Sequence, residues 1–267
     1  MGVGISAVQT EQFTGNLIDS LYAKWDGEKF IRVFEPEKSL PPLAKIAYED
    51  FRAHISGDDF SCVGAKAALN GDLFRVGFYD EMNAPETGRV LARDLQAFTA
   101  EQKKASTNYT SFAAVFAAPV FEDESAWEHS LWAQLKNLHE LDRRQHAWDS
   151  SVSSNPEDVN FSFSFAGTGF FIVGLHPNSS RLARRFSRAT MVFNPHAQFD
   201  RLRELEQYER LQKTIRSREM KLQGSLNPNL SDFGTRSEAR QYSGRAVEEN
   251  WKCPFHAQIA AAKKAGK

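Results

Sequence analysis

The chain has 267 residues, of which 41% are hydrophobic and 25% are charged, so it can bury a core without disulfide bonds. Its 33 basic and 34 acidic residues give a formal net charge of -1, which provides no general field for nucleic acid or anionic lipid. Two cysteines are too few for a secreted disulfide framework, and no apolar run approaches the ~20 residues that span a bilayer. We therefore predict a soluble, cytoplasmic protein that binds neither nucleic acid nor membrane.

No linker or composition break divides the sequence. We predict a single domain over residues 1–257, followed by a disordered basic tail over residues 258–267. The N-terminus, MGVGIS, fits a loose myristoylation pattern at Gly2 and Ser6, which we attribute to chance because the pattern is short.

The first predicted element is a helix that begins at Pro41 and Pro42 and ends at Gly57. Residues at helical spacing are expected on its inward face: Leu43, Ile46, Ala47, Phe51 and His54. An Ala-rich stretch after Cys62 predicts a short turn that ends at Asn70-Gly71.

Strands and helices then alternate. Residues 73–79 have the pattern of a half-buried strand, and residues 109–117 that of a buried one. A helix is expected after Thr87, with four apolar residues inward: Val90, Leu91, Leu95 and Phe98. A capping box, Ser125-x-x-Glu128, predicts the start of another helix, with Leu131, Leu135 and Leu138 on one face.

The strongest β signal is a hairpin over residues 161–175, with Gly167-Thr168-Gly169 as its turn. Residues 191–193 predict a further strand, and one long amphipathic helix is expected from near Asn194 to Ile215. Hairpin strands with helices between and after them predict an α+β fold, in which antiparallel strands pack with several helices.

Two histidines follow predicted strands and are candidate metal ligands. His176 ends the apolar strand FFIVGL, and Asn178 or Ser179 could orient its ring. His196 follows Asn194-Pro195, where Asn194 could cap the next helix. The alternative for His176 is a turn residue that caps its own loop.

Three arginines form a second candidate group. Arg181, Arg184 and Arg185 have i, i+3 and i+4 spacing, so a helix that starts near Ser179 would place them on one face. Arginine binds carboxylates and phosphates in a bidentate manner, so the group suits an anionic ligand. The alternative is a solvated helix face.

A glycine-bounded loop, residues 233–245, is dense in polar side chains. Glu238 could bind a cationic substrate group, and Arg240 or Arg245 a carboxylate. The alternative is an internal network of salt bridges. Cys253, beside Lys252, is a further candidate iron ligand, although a buried structural cysteine is the commoner case.

Several familiar motifs are missing from the sequence: a P-loop, GxGxxG, GxSxG and HExxH. Cys253 and His256 have half of a zinc spacing, but no second pair matches them. A Ser/His/Asp triad stays open, because its members need not be close in sequence.

In order along the chain, GLHPNSSRLARRF, VFNPHAQF, IRSRE, LQGSLNPN, SEARQYSGR and WKCPF closely resemble the C-terminal half of the YqcI/YcgG family. Residues 60–82 resemble the N-terminal block of the same family. The resemblance implies a haem-dependent oxygenase that N-hydroxylates a free amino acid or guanidino compound. It further implies haem b (heme b) as cofactor, O2 as co-substrate and electrons from a separate reductase.

The resemblance also gives the candidate residues expected roles. His176 is our first choice as iron ligand, with His196 and Cys253 as alternatives. The residues expected to bind cofactor are Arg181, Arg184, Arg185, Asn194, Tyr242 and Arg245, and those expected to be catalytic are His196, Glu238 and Arg240. A non-catalytic haem sensor or carrier, and a metal-free module for an anionic metabolite, remain alternatives.

Overall fold

The computed structural model describes residues 20–104, 109–231 and 234–257. Within these ranges one seven-stranded sheet carries the fold, in the order β2-β1-β3-β4-β7-β6-β5. The strands are β1 (Ala23–Trp25), β2 (Phe30–Arg32), β3 (Phe74–Glu81), β4 (Ser111–Ala118), β5 (Phe163–Phe165), β6 (Thr168–Leu175) and β7 (Thr190–Pro195). Only the β3 and β4 pair is parallel among these neighbours, and the others are antiparallel. The predicted α+β class and single domain are confirmed.

Six α-helices accompany the sheet in the described residues. They are α1 (Pro42–Ser56), α2 (Val63–Asn70), α3 (Pro85–Gln102), α4 (Glu124–Asp142), α5 (His196–Glu204) and α6 (Tyr208–Gln223). The apolar residues of α3 and α4 pack on one face of the sheet, and those of α1 and α2 pack on the other. The sheet therefore separates two hydrophobic cores.

Alternation along β6 determines which face each of its side chains contacts. Phe170 and Ile172 belong to the core of α3 and α4. At Gly174 a Cβ would lie 2.8 Å from both Leu131 and Trp127 of α4, so only glycine lets that helix approach. Val173 and Leu175 lie on the opposite face, with the core of α1 and α2.

Several predicted details differ in the structure. In α1 the buried stripe is Ala44, Ala47, Tyr48, Phe51 and Ile55, whereas Leu43 and Ile46 are 48% and 50% exposed. The Ala-rich stretch is helix α2 rather than a turn. The hairpin turn is Ala166-Gly167, both with positive φ, so Thr168 and Gly169 belong to β6. The long C-terminal helix is two helices, because Glu206 adopts a φ of 57° between α5 and α6.

Two predicted N-cap residues are also wrong, although both helices begin within two residues of the predicted positions. Asp123, and not Ser125, caps α4, since its side chain accepts a hydrogen bond from the Ala126 backbone N–H. Pro195 precedes α5, and Asn194 does not cap it. The expected basic tail and the pattern at Gly2 lie outside the described residues.

Candidate functional site

A cavity of about 330 Å³ lies on the α1 and α2 face of the sheet. Its walls come from the sheet, from α2 and from α5 and α6, and they are largely apolar. The apolar side chains include Phe171, Val173, Leu175, Val192, Leu211 and Ile215. The volume lies in the range of roughly 300–1,000 Å³ that is usual for small-molecule sites. A mostly apolar lining is typical of such a site, and here several charged and polar side chains interrupt it.

His196 provides an imidazole to this cavity from the first turn of α5. Its Nδ1 lies 3.3 Å from Oδ2 of Asp200, one helical turn further on, and its Nε2 lies 3.8 Å from Oε2 of Glu238. Burial lowers the pKa of His196, so the neutral ring is favoured. When Nδ1–H donates to Asp200, the Nε2 lone pair is on the Glu238 side, where a metal or proton donor could use it.

Glu238 is a carboxyl group that lines the cavity and contacts two hydroxyls. Its Oε1 lies 2.6 Å from Ser162 Oγ and 2.6 Å from the Tyr242 hydroxyl. Burial raises the pKa of Glu238 to about 8. The carboxyl group is therefore mainly neutral at pH 7.

The hydroxyl of Tyr242 gives an independent reason for a neutral Glu238. The Phe163 N–H donates to this hydroxyl, which also lies 3.1 Å from the Phe170 carbonyl oxygen. Tyrosine has one hydroxyl proton, so it can donate to Phe170 or to an ionised Glu238 but not to both. A protonated Glu238 can donate to Tyr242, and Tyr242 can then donate to Phe170, so every contact is a hydrogen bond.

The cavity wall also carries a buried ion pair between Arg181 and Glu219. Arg181 Nε donates to Oε1 of Glu219 at 3.0 Å, and its other nitrogens contact Ser225. Ser61 Oγ donates to the second oxygen of Glu219 at 2.8 Å. These bonds fix α6 against the segment that follows β6, and they compensate the charge of Arg181.

The profile of the YqcI/YcgG family matches residues 51–256, which is most of the chain. The chain belongs to this family. It is 29% identical to "Uncharacterized protein YcgG" of Bacillus subtilis (strain 168) over 255 residues, covering 90% of this chain and 96% of the relative. It is 26% identical to "Uncharacterized protein YqcI" of the same organism over 250 residues, covering 88% and 94%. No solved structure matches the chain.

The region shared with the YqcI/YcgG family includes both candidate histidines, but the structure places them on opposite faces of the sheet. His176 is fully buried and stacks on Trp127 of α4, with ring centroids 5.4 Å apart. It does not line the cavity. Neither of its ring nitrogens has a hydrogen-bond partner among the described residues. Burial lowers the pKa of His176 to about 4, so its ring is neutral near pH 7.

The three arginines of the predicted cluster do not share a helix face. Only Leu182–Arg184 form a short 3-10 helix, and Arg181 precedes it in an extended conformation. Arg181 and Arg184 line the cavity. Arg185 is exposed, does not line the cavity, and donates to the Ser179 carbonyl oxygen at 3.0 Å.

The remaining predicted site residues divide in the same way. Asn194 lines the cavity and accepts a hydrogen bond from Ser111 Oγ. Arg240 donates hydrogen bonds to backbone carbonyls and lines a separate surface groove. Arg245 forms ion pairs with Glu128 of α4 and with Glu248. Neither of these arginines lines the cavity.

Cys253 is buried in the α3 and α4 core, where burial raises the pKa of its thiol to about 12. It does not line the cavity. Three residues that line the cavity or contact its histidine were not predicted from the sequence: Cys62, Asp200 and Glu219. Cys62 lines the cavity at the start of α2, and burial raises its thiol pKa. The i, i+4 spacing of His196 and Asp200 could have predicted their contact, since residues four apart are neighbours on a helix.

The described residues contain no cluster of three or more His, Cys, Asp or Glu side chains that could bind a metal ion. None of the helices in the described part of the chain is long and apolar enough to cross a membrane.

Proposed function

We propose that the chain binds haem b in the cavity through His196 and N-hydroxylates an amino or guanidino compound with O2 and electrons from a separate reductase. The observation that carries this proposal is the placement of His196, an imidazole at the cavity wall whose Nδ1 contacts Asp200. A carboxylate on the second ring nitrogen is the usual partner of a metal-binding histidine. It fixes the tautomer and makes the other nitrogen a better ligand.

The donor set of the cavity fits a porphyrin. Its walls are largely apolar, as the macrocycle requires, and arginines at the wall suit anionic propionates. A haem iron needs only one or two protein ligands, so one histidine is sufficient. His176, our first choice from sequence, lies on the other face of the sheet, so His196 replaces it in this proposal.

When bound, haem supplies the redox chemistry for O2 activation. The residues of the chain contribute orientation, exclusion of water and proton transfer. Asp200 orients the ring of His196. Glu238, in its neutral form, carries one acidic proton at the cavity wall, and it can deliver this proton to a group in the cavity by giving up its hydrogen bond to Tyr242. We propose a cytoplasmic location, in keeping with two free cysteines, Cys62 and Cys253.

The iron ligand can be tested with a matched pair of variants, His196→Ala and His176→Phe. Purified protein is titrated with haem, and absorption spectra are recorded as purified and as the reduced carbon monoxide complex. We expect His196→Ala to lose the wild-type Soret band, and His176→Phe to keep it, since phenylalanine preserves the stack on Trp127. A thiolate-type carbon monoxide spectrum that disappears in Cys62→Ser would move the ligand to Cys62.

Turnover is tested separately, on the haem-loaded protein with a chemical or enzymatic reductant. We expect O2 consumption that depends on the amino or guanidino compound, together with a hydroxylated nitrogen in the product. Glu238→Gln should keep the haem spectrum and lower turnover, because an amide cannot deliver the proton. Haem binding without substrate-dependent O2 consumption would refute the oxygenase and leave a carrier or sensor. A wild-type protein that does not bind haem would refute the whole proposal.

A further inference from the structure

Several arginines line the cavity wall, and their contacts differ. The five that line it are Arg181, Arg184, Arg203, Arg216 and Arg236. Arg181 pairs with Glu219, Arg203 with Asp200 and Arg236 with Glu249. These three guanidinium groups already have a carboxylate, so a ligand anion would have to compete with it. Arg216 also has an interaction within the protein.

Arg184 has a different environment. Its Nη1 donates to the carbonyl oxygens of Tyr242 at 3.1 Å and Gly174 at 3.4 Å. No carboxylate among the described residues forms an ion pair with it within 4.0 Å. A guanidinium group has five N–H donors, so the donors on Nε and Nη2 remain for a ligand. Burial lowers the pKa of Arg184 to about 10, so the group is still charged at pH 7.

The backbone around Arg184 fixes its position. Gly244 has a φ of +88°, and a Cβ on it would lie only 2.7 Å from Arg184 Cδ. The loop that carries Tyr242 and Gly244 therefore packs directly on the aliphatic part of the side chain. Two carbonyls and one glycine leave the guanidinium few alternative rotamers, which reduces the entropy lost when it binds an anion.

We propose that Arg184 is the carboxylate-binding residue of the cavity. Arg184 is partly buried, and Glu219 attracts it only from beyond ion-pair distance, so a ligand carboxylate could pair with it directly. The planar guanidinium matches a carboxylate in bidentate geometry. This inference rests on the proposed function, because the carboxylate belongs either to a haem propionate or to the substrate. The two sources are separated by the two arms of the experiment.

The first arm uses metal-free protoporphyrin and its dimethyl ester, whose binding does not depend on an iron ligand. Fluorescence titrations compare wild type, Arg184→Gln, Arg184→Lys and the control Arg185→Gln, which alters the neighbouring arginine outside the cavity. If a propionate binds Arg184, the diacid should bind Arg184→Gln roughly 10- to 100-fold more weakly. The affinity of Arg184→Lys for the diacid should lie between those of wild type and Arg184→Gln. The diester should bind all four proteins equally.

The second arm uses haem-loaded protein and calorimetry with L-arginine and agmatine, which differ by one carboxylate. If the substrate carboxylate binds Arg184, Arg184→Gln should weaken the binding of L-arginine but not that of agmatine. Arg185→Gln should change neither affinity. Near-UV circular dichroism checks that each variant is folded.

The proposal is overturned if Arg184→Gln matches wild type for both acids, or weakens the diester and agmatine as much as the acids. It is also overturned if neither acid binds wild-type protein. Both proposals hold if His196→Ala loses iron ligation but still prefers the acids over the diester or agmatine in the way that depends on Arg184. Wild-type protoporphyrin binding that depends on Arg184, without any iron ligation, would refute the haem oxygenase alone.

Discussion

The raised pKa of Glu238 predicts that the apoprotein loses stability as pH rises from 4.5 to about 8. In the unfolded chain this carboxyl ionises near pH 4.5, whereas in the folded protein it keeps its proton to about pH 8. Between these values the unfolded state binds fewer protons, so the free energy of unfolding falls with increasing pH. Below pH 4.5 Glu238 causes no such decrease. At pH 7 it has lowered the free energy of unfolding by about 3 kcal/mol, and above pH 8 there is little further decrease.

Glu238→Gln removes this titration and keeps a side chain that can bond Ser162 and Tyr242. We expect Glu238→Gln to be nearly as stable as wild type at pH 4.5, and more stable by about 1.4 kcal/mol for each pH unit from there to about pH 8. Urea unfolding at pH 5, 6, 7 and 8 measures the difference, in which other titrating groups cancel. Glu204→Gln, an exposed change on α5, is the control. A difference between variant and wild type that does not change with pH would refute the reasoning.

Three further outcomes follow from buried contacts. The pKa of His176 is lowered from 6.5 to about 4, so wild type loses stability as pH falls through this range, and His176→Phe should be more stable by about 2 kcal/mol at pH 5 in urea unfolding. Gly174→Ala should lower the free energy of unfolding by about 1–3 kcal/mol, because the methyl group would overlap α4. Asp123→Ala should cost about 1 kcal/mol and Ser125→Ala clearly less, as measured by thermal unfolding.

Each of these outcomes has a result that would contradict it. Equal acid sensitivity of wild type and His176→Phe would mean that the ring is hydrated or charged in the folded protein. A neutral Gly174→Ala would show that α4 can move away from β6. An effect of Ser125→Ala larger than that of Asp123→Ala would restore the capping box predicted from sequence.

The predictable part of the fold was the part with strong local patterns. Alternation over residues 161–175 predicted the β5 and β6 hairpin, and the buried strand β4 followed from its continuous apolar run. The inward face of α1 was mispredicted because two apolar stripes compete on this helix. Leu43 and Ile46 lie on one of them and the buried Tyr48 and Ile55 on the other, and only packing against the sheet decides between them.

The site was less predictable because its geometry depends on contacts between distant segments. The spacing of Arg181, Arg184 and Arg185 suits a helix, but the Glu219 carboxylate binds Arg181 and the Gly244 backbone fixes Arg184, and no helix forms over all three. Similarly, the position of His176 at the end of the strongest predicted strand made it the first choice over His196. Which face of the sheet each one contacts depends on the paths of β6 and α5, which the local sequence does not determine.

The cavity is assembled from residues as far apart as Ile55 and Gln241, so distant segments of the chain must be in place before a ligand finds its walls. A molecule bound there therefore stabilises the whole fold rather than one segment. If unfolding is two-state, a ligand at 100 times its Kd adds about 2.7 kcal/mol to the free energy of unfolding. Thermal shift then becomes a means of searching for the natural ligand without any assumption about the chemistry it undergoes.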